Sequence, residues 1–491
     1  MGSRLPPGPK GLPILGNILD IPKDGHEWLD YEKWGRQYGS DILYINLLGT
    51  PVVILNSWKH AIELFERRSK LYSDRPKAIM LNDLTGWGFD FAFMGYGNVW
   101  REQRRVFHQH FNGQAILKYA PQFPRAVHDL LLRLLERPED FMAHLRHSAG
   151  AVIMAITYGI DVLPKDDPYV DIAERALVTL NATCNTGSYL VDYLPALQYI
   201  PSWMPGAKFK RQAAIWHQYV MDLTHVPYAA VKQAIAEGTA APSVVATLIN
   251  KLDVNEDNTK IEGVIRNVAG AAYTGGADTS VSSLGTLVYA LMLHPECQRK
   301  AQAELERVIG KGRLPTLEDR DQLPYITAIF RESMRWRPVV PLSVTHALTE
   351  DDEYLGYNFP KGLLVIGNIW AISRDEERYP DPERFNPDRF MTPEGTLDPK
   401  VPNSDDFAFG FGRRTCPGRH LALNSIWLSL ASILTVFNLE LPRDKNGEEI
   451  RPSGEYTPGL ISYPEPFQCK FKPRSQHAEA LIRAAAHEAV A

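Results

Sequence analysis

The segment Phe409-Gly410-Phe411-Gly412-Arg413-Arg414-Thr415-Cys416-Pro417-Gly418 places one thiol among glycines and arginines, ahead of an apolar helical run that opens with Arg419-His420-Leu421-Ala422. Pro417 suits the first position of that helix, which would set Cys416 at the positive N-terminal end, where free N–H groups can reach the sulfur. The glycines let backbone come close to the sulfur and adopt conformations closed to other residues. Hydrogen bonds of this kind moderate the basicity of a sulfur that binds a metal. A lone Cys-Pro-Gly would describe a buried free thiol beside a helix cap. The number of special residues packed around Cys416 asks for more.

Three further constellations carry chemistry. Gly275-Gly276-Ala277-Asp278-Thr279 lies inside a helical stretch of roughly 261–292, where two glycines and a threonine are poor helix formers. The Thr279 hydroxyl can reach the Gly275 carbonyl four residues back, so a local opening of the helix is expected there. Glu332-Ser333-Met334-Arg335 sets two opposite charges on one helical face, a pairing worth little when exposed. Trp100-Arg101-Glu102-Gln103-Arg104 puts an indole N–H and a guanidinium one turn apart, able to bind one anionic group.

These segments, in this order, resemble the cytochrome P-450 superfamily of haem-thiolate monooxygenases. Phe409, Gly412, Arg414, Cys416 and Gly418 match its F-x-x-G-x-R-x-C-x-G loop, Glu332 and Arg335 its E-x-x-R pair, and Trp100 and Arg104 its W-x-x-x-R. The likeness spans about residues 4–473 and is nearest to eukaryotic microsomal, basidiomycete fungal members. It implies haem b with Cys416 as the iron ligand, a thiolate that favours O–O cleavage. Trp100, Arg104, Arg414 and His346 are implied at the haem propionates, with Phe409, Gly410 and Gly418 around the sulfur. Asp278 and Thr279 are implied as the proton relay. Pro382-Glu383-Arg384-Phe385 resembles the P-E-R-F segment, so Glu332, Arg335 and Arg384 are expected to form a buried cluster that supports the haem site.

The resemblance further implies insertion of one oxygen atom into a small molecule, the other leaving as water. Electrons are expected from NADPH through a separate NADPH-cytochrome P-450 reductase, with cytochrome b5 as a further possible donor. Arg101, Arg104, Arg105, Arg413, Arg414 and Arg419 are expected on the cysteine side of the haem, two or three of them left for an acidic partner. The substrate is expected to be mid-sized and apolar or aromatic, against Leu84, Trp87, Phe89, Ala272, Gly275, Val340, Leu342 and Leu460. The activity fits fungal secondary metabolism or xenobiotic oxidation. Two alternatives stand beside it: a reductase-independent isomerase or dehydratase of the same family, and a haem sensor or carrier without turnover.

The elements that would hold these groups are mainly helical. The chain has 491 residues, 44% hydrophobic and 23% charged, which allows a large core. A net charge of −5, without zinc-finger spacing or a long basic run, argues against nucleic acid as a partner. Four scattered cysteines indicate neither a zinc knuckle nor a disulfide framework. Residues 41–47 and 51–55 read as a hairpin, flanked by helices near 28–38 and 57–67. From about 99 to 337 the apolar spacing is helical, and strands return near 343–347, 353–357, 363–366 and 467–471. The predicted fold is mainly α with a minor, segregated antiparallel β part, one P-450 catalytic domain over 21–473 with haem between the long central helix and the Cys-loop helix. Residues 1–20 form a Pro/Gly-rich arm that would follow a membrane anchor outside this sequence. Residues 474–491 form a helical tail. A monomer on the cytosolic face of the endoplasmic reticulum membrane is the expected setting.

Overall fold

Leu48 and Gly49 both take positive φ, 51° and 92°, and this two-residue turn folds β1 (Ile42–Leu47) onto β2 (Thr50–Leu55) as an antiparallel hairpin. The computed structural model describes residues 5–22, 25–184, 188–253 and 255–490; the predicted Met1–Arg4 start lies outside them. Further along, β3 (His346–Ala347), β4 (Asp352–Tyr354), β5 (Tyr357–Phe359) and β6 (Leu364–Gly367) replace the three late strands read from sequence. The stretch expected as one strand near 353–357 is broken by a second tight turn at Leu355 and Gly356, again both at positive φ.

Strand β6 pairs parallel with β2 and antiparallel with β3, giving a sheet in the order β1-β2-β6-β3. It draws His346 from late in the chain to the N-terminal hairpin. A strand unforeseen from sequence, β7 (Phe437–Glu440), follows the Cys-loop helix directly and pairs with β8 (Lys470–Pro473). The N-terminal arm docks along β1: the Tyr44 amide donates to the Pro7 carbonyl, and Asn17 holds Pro9 and Asn46.

Helices carry the rest. The longest, Thr259–Leu293, has 35 residues and is buried along most of its course. It packs against helices Asn98–Phe111, Phe141–Tyr158 and Arg419–Val436, so groups from all three converge on its middle. The C-terminal helix Gln476–Val490 presents Ala478, Ile482, Ala485 and Ala486 to helices Gln122–Glu136 and Arg419–Val436. The fold is mainly α, with one four-stranded and two two-stranded sheets among the described residues. Among the described residues no helix is long and apolar enough to cross a membrane.

Candidate functional site

The loop around Cys416 is fixed by backbone geometry. Gly410 and Gly412 take φ of 73° and 52°, and a Cβ at Gly412 would stand 2.2 Å from the Phe65 carbonyl oxygen, so only glycine fits there. The Cys416 amide donates to Phe409 O at 2.7 Å and the Thr415 hydroxyl to Gly412 O at 2.9 Å. One expectation fails: the helix begins at Arg419 with Gly418 as its cap, and Pro417 sits in the preceding turn. The consequence for the sulfur is small. Burial raises the thiol's pKa, while the N–H groups of Gly418 and Arg419 and the charges of Arg104 and Arg419 favour the anion. Among the described residues no three His, Cys, Asp or Glu side chains gather as a metal-holding group. A single sulfur held in this way suits a metal that brings its other ligands with it.

Beside this loop lie three guanidiniums. Arg414 donates to the carbonyls of Ser73 (2.8 Å), Phe91 (3.0 Å) and Met94 (2.8 Å). Arg75 donates to Ala92 O (2.9 Å), Val344 O (2.6 Å) and Thr345 O (2.9 Å). Arg104 donates to Thr415 O. Trp100 joins them, its N–H on Phe91 O at 3.1 Å and its ring 4.6 Å from the Arg414 guanidinium. None of the three arginines forms an ion pair with a carboxylate of the described residues, and burial pushes the pKa of each down, that of Arg414 to about 10. Three half-buried positive charges with only Asp74 acting as a nearby acid on two of them call for a further anionic partner. A flat group carrying two carboxylates and a metal with one open position for sulfur meets both demands, so the residues fit haem.

One role needs correction, and one expected residue is placed beside the arginines. His346 is stacked on Phe65 at 4.2 Å and its Nδ1 donates to Tyr72 O at 2.6 Å. Burial, with Arg75 and Arg414 nearby, drives its pKa well below the ordinary range. Its Nδ1–H is spent on that carbonyl, and it lies beside the arginines that carry charge for an anion; Arg75, which no sequence motif marked, supplies the third. The support cluster differs. Glu332 accepts from Arg335 Nε (2.8 Å) and Nη2 (2.9 Å), and its other cation is Arg389, at 3.1 Å. The Arg384 side chain is exposed, and only its carbonyl reaches the cluster. Pro387-Asp388-Arg389-Phe390 repeats the pattern of 382–385 five residues later, and the second copy is the one that faces Glu332.

On the long helix, the Thr279 hydroxyl donates to Gly275 O at 2.6 Å, as its spacing predicted. The expected opening is absent: the α-helix continues unbroken through 275–279. Room is made by missing side chains instead. Gly275 is exposed among buried neighbours, and a Cβ built on it would meet nothing within 4 Å. Asp278 is buried, its carboxylate 3.8 Å from Arg146, which in turn lies 3.5 Å from Glu174 near the surface. Burial raises the Asp278 pKa, while Arg146 and the facing Tyr463 hydroxyl hold it down.

The eight expected substrate residues do not share one wall. Phe89 lies against Gly270 of the long helix, while Ala272 and Gly275 lie further along the same helix. Trp87 is fully buried with its N–H on Thr179 at 3.0 Å, an anchor of the loop and not a pocket surface. Leu84 packs with Ile79, Met80 and Val191. Val340 is half-buried, and Leu342 and Leu460 line a separate cavity.

Residues 6–471 match the cytochrome P450 family model. Cytochrome P450 monooxygenase 98 of Postia placenta is 45% identical over 481 residues, 97% of this chain and 92% of the relative. Tryptamine 4-monooxygenase of Psilocybe cyanescens is 42% identical over 477 residues, 96% of this chain and 94% of the relative. Cytochrome P450 monooxygenase ple1 of Rhodocybe pseudopiperita is 42% identical over 481 residues, 98% and 92%. With its thiol loop, its unpaired guanidiniums and its glycine-lined helix, the chain belongs to the cytochrome P450 family and is one of its monooxygenases.

Proposed function

We propose that the protein holds haem b through Cys416 and hydroxylates a mid-sized apolar or aromatic small molecule, with electrons from NADPH delivered by NADPH-cytochrome P-450 reductase. Bound haem supplies dioxygen activation at a thiolate-ligated iron. The observation that supports the reading is the gathering of three half-buried guanidiniums, none in an ion pair among the described residues, near a single thiol favoured as anion by backbone N–H groups. Arg75, Arg104 and Arg414 would hold the propionates, Gly275 leaves space on the facing helix, and Thr279 positions a hydroxyl at that space. Asp278 would take protons from the Arg146 and Glu174 side and pass them toward Thr279. Ala272 on the helix of Gly275, with Phe89 against Gly270 of that helix, supports an apolar substrate, and the relative named tryptamine 4-monooxygenase supports an aromatic one.

Arg101, Arg105, Arg413 and Arg419 are exposed while Arg104 and Arg414 are turned inward, which leaves a basic surface beside the thiol loop for an acidic reductase domain or cytochrome b5. Exposed Ile14, Leu19, Leu190, Leu194, Tyr199 and Trp203 support a native position against the endoplasmic reticulum membrane. The test is the carbon monoxide difference spectrum of the reduced protein, followed by mass spectrometry of reductase-supported products. A red-shifted Soret band and a product one oxygen heavier are expected. A protein that binds no haem would refute the proposal.

A further inference from the structure

Asp278 has a second neighbour besides Arg146. Ser282 lies one helical turn after Asp278, so the two side chains leave the same face of helix Thr259–Leu293. The Ser282 hydroxyl donates to the Ser462 carbonyl at 2.5 Å, which brings the next residue, Tyr463, alongside that face. The Tyr463 hydroxyl is buried and finds no hydrogen-bond partner elsewhere among the described residues, and the group it faces is the Asp278 carboxylate.

The loop that carries Tyr463 is tied at several points. The Tyr463 N–H donates to Thr457 Oγ1 at 2.9 Å, the Thr457 N–H to the Tyr463 carbonyl at 2.7 Å, and the Ser462 hydroxyl to the Thr457 carbonyl at 2.9 Å. The Ser462 N–H donates to the Val339 carbonyl at 2.9 Å. The phenol therefore stands on a fixed root. A buried hydroxyl without a partner destabilises a fold, whereas one donated to a carboxylate forms a charge-assisted bond stronger than a neutral one.

The other groups around Asp278 are accounted for. Arg146, on helix Phe141–Tyr158, stands 3.8 Å from the carboxylate and 3.5 Å from Glu174. Tyr273, on the same helix as Asp278, spends its hydroxyl on the Tyr169 carbonyl at 2.9 Å. We infer that Tyr463 is a positioning residue for the proton relay: its hydroxyl donates to the Asp278 carboxylate, fixes how that group is turned, and couples it to the loop that bears Leu460. The inference rests on the relay role proposed for Asp278. Burial and the Asp278 charge push the phenol pKa up, so Tyr463 holds the carboxylate without supplying its proton, and proton entry stays on the Arg146 and Glu174 side.

The experiment uses haem-loaded Tyr463→Phe, Asp278→Ala and the double variant. Tyr463→Phe removes one oxygen and keeps the ring. Infrared titration follows the protonated-carboxyl band that Asp278→Ala lacks. Tyr463 stabilises the carboxylate, so in Tyr463→Phe this band is expected to appear about one pH unit higher on acidification than in wild type. In thermal unfolding above the pH at which the band vanishes, Tyr463→Phe is expected to lower Tm in the wild-type background and not in Asp278→Ala. With the oxygenated product as readout, Tyr463→Phe is expected to give several-fold less product per NADPH while keeping the red-shifted carbon monoxide band. The infrared and unfolding readouts need no turnover, so a failure of the monooxygenase reading shows in the wild-type spectrum and products, and a failure of this inference shows in Tyr463→Phe alone. An unshifted carboxyl band, an equal Tm loss in both backgrounds, an unchanged product yield, or loss of the carbon monoxide band in Tyr463→Phe overturns the inference.

Discussion

Replacing Arg389 with methionine should damage the protein far more than the same change at Arg384. Arg389 keeps 7% of its side-chain surface exposed and Glu332 none, with 3.1 Å between them. Removing one member of a buried ion pair costs about 3–5 kcal/mol, because the remaining charge stays desolvated. Arg335 still holds Glu332 by two hydrogen bonds, which sets Arg389→Met toward the lower end. Arg384 exposes its side chain, and an exposed change away from special features costs within about 0.5 kcal/mol. Unfolding entropy of about 2.1 cal/mol/K per residue comes to about 1 kcal/mol/K over the whole chain, so Arg389→Met lowers Tm by about 3 °C and Arg384→Met by under about 1 °C. Differential scanning calorimetry of the haem-loaded variants reads both, and the reduced carbon monoxide spectrum reports whether the thiol loop survives. Equal losses for the two variants, or a larger loss for Arg384→Met, would refute the assignment.

Cys416→Ser should remove the red-shifted Soret band of the reduced carbon monoxide complex, while Cys184→Ser, Cys297→Ser and Cys469→Ser keep it; loss of the band in any of those three would move the ligand elsewhere. Thr279→Val should lower product formed per NADPH by at least roughly tenfold, toward the 10²–10⁴ range of proton-transfer catalysis, with the spectrum intact and Thr279→Ser restoring part of the yield. Gly412→Ala should prevent normal haem loading, since its Cβ meets the Phe65 carbonyl at 2.2 Å, and measured haem per protein checks it. The Arg313 side chain, at 2.6 Å, holds the Asp319 pKa down to about 2. A lowered carboxylate pKa stabilises the fold above about pH 4 and loses that effect as pH falls toward 2, so wild type should lose about 1–2 kcal/mol across that window that Asp319→Asn does not, as read from thermal unfolding against pH.

Much of the site was legible because its chemistry is local. The Thr279 bond to Gly275 follows from helix geometry alone, and the β1–β2 hairpin from alternation around Leu48-Gly49. What sequence could not give is the choice between two similar local patterns. Both 382–385 and 387–390 carry an arginine before a phenylalanine, and the short 3-10 helix Pro387–Phe390, capped by Asn386 whose amide also binds Glu332, decides which one points inward. Arg75 was hidden for the opposite reason: its role comes from carbonyls at 92, 344 and 345, which no short window contains. Strand β7 was hidden because its apolar residues continue the burial of the preceding helix, and its partner β8 lies some thirty residues on. Pro417 shows the ordinary uncertainty of a helix boundary, with the cap two residues later than its preference suggested.

The crowding of Arg75, Arg104 and Arg414 also bears on how the protein is made. Like charges drawn together away from water resist one another, so the 73–98 segment that Arg414 and Arg75 tie down closes against a repulsive load. Asp74 offsets part of that load, and a bound dianion would neutralise more of it. Cofactor supply during expression thus governs how completely this region matures, and cells grown short of porphyrin precursor should yield chains that are proteolysed first between Ser73 and Asn98.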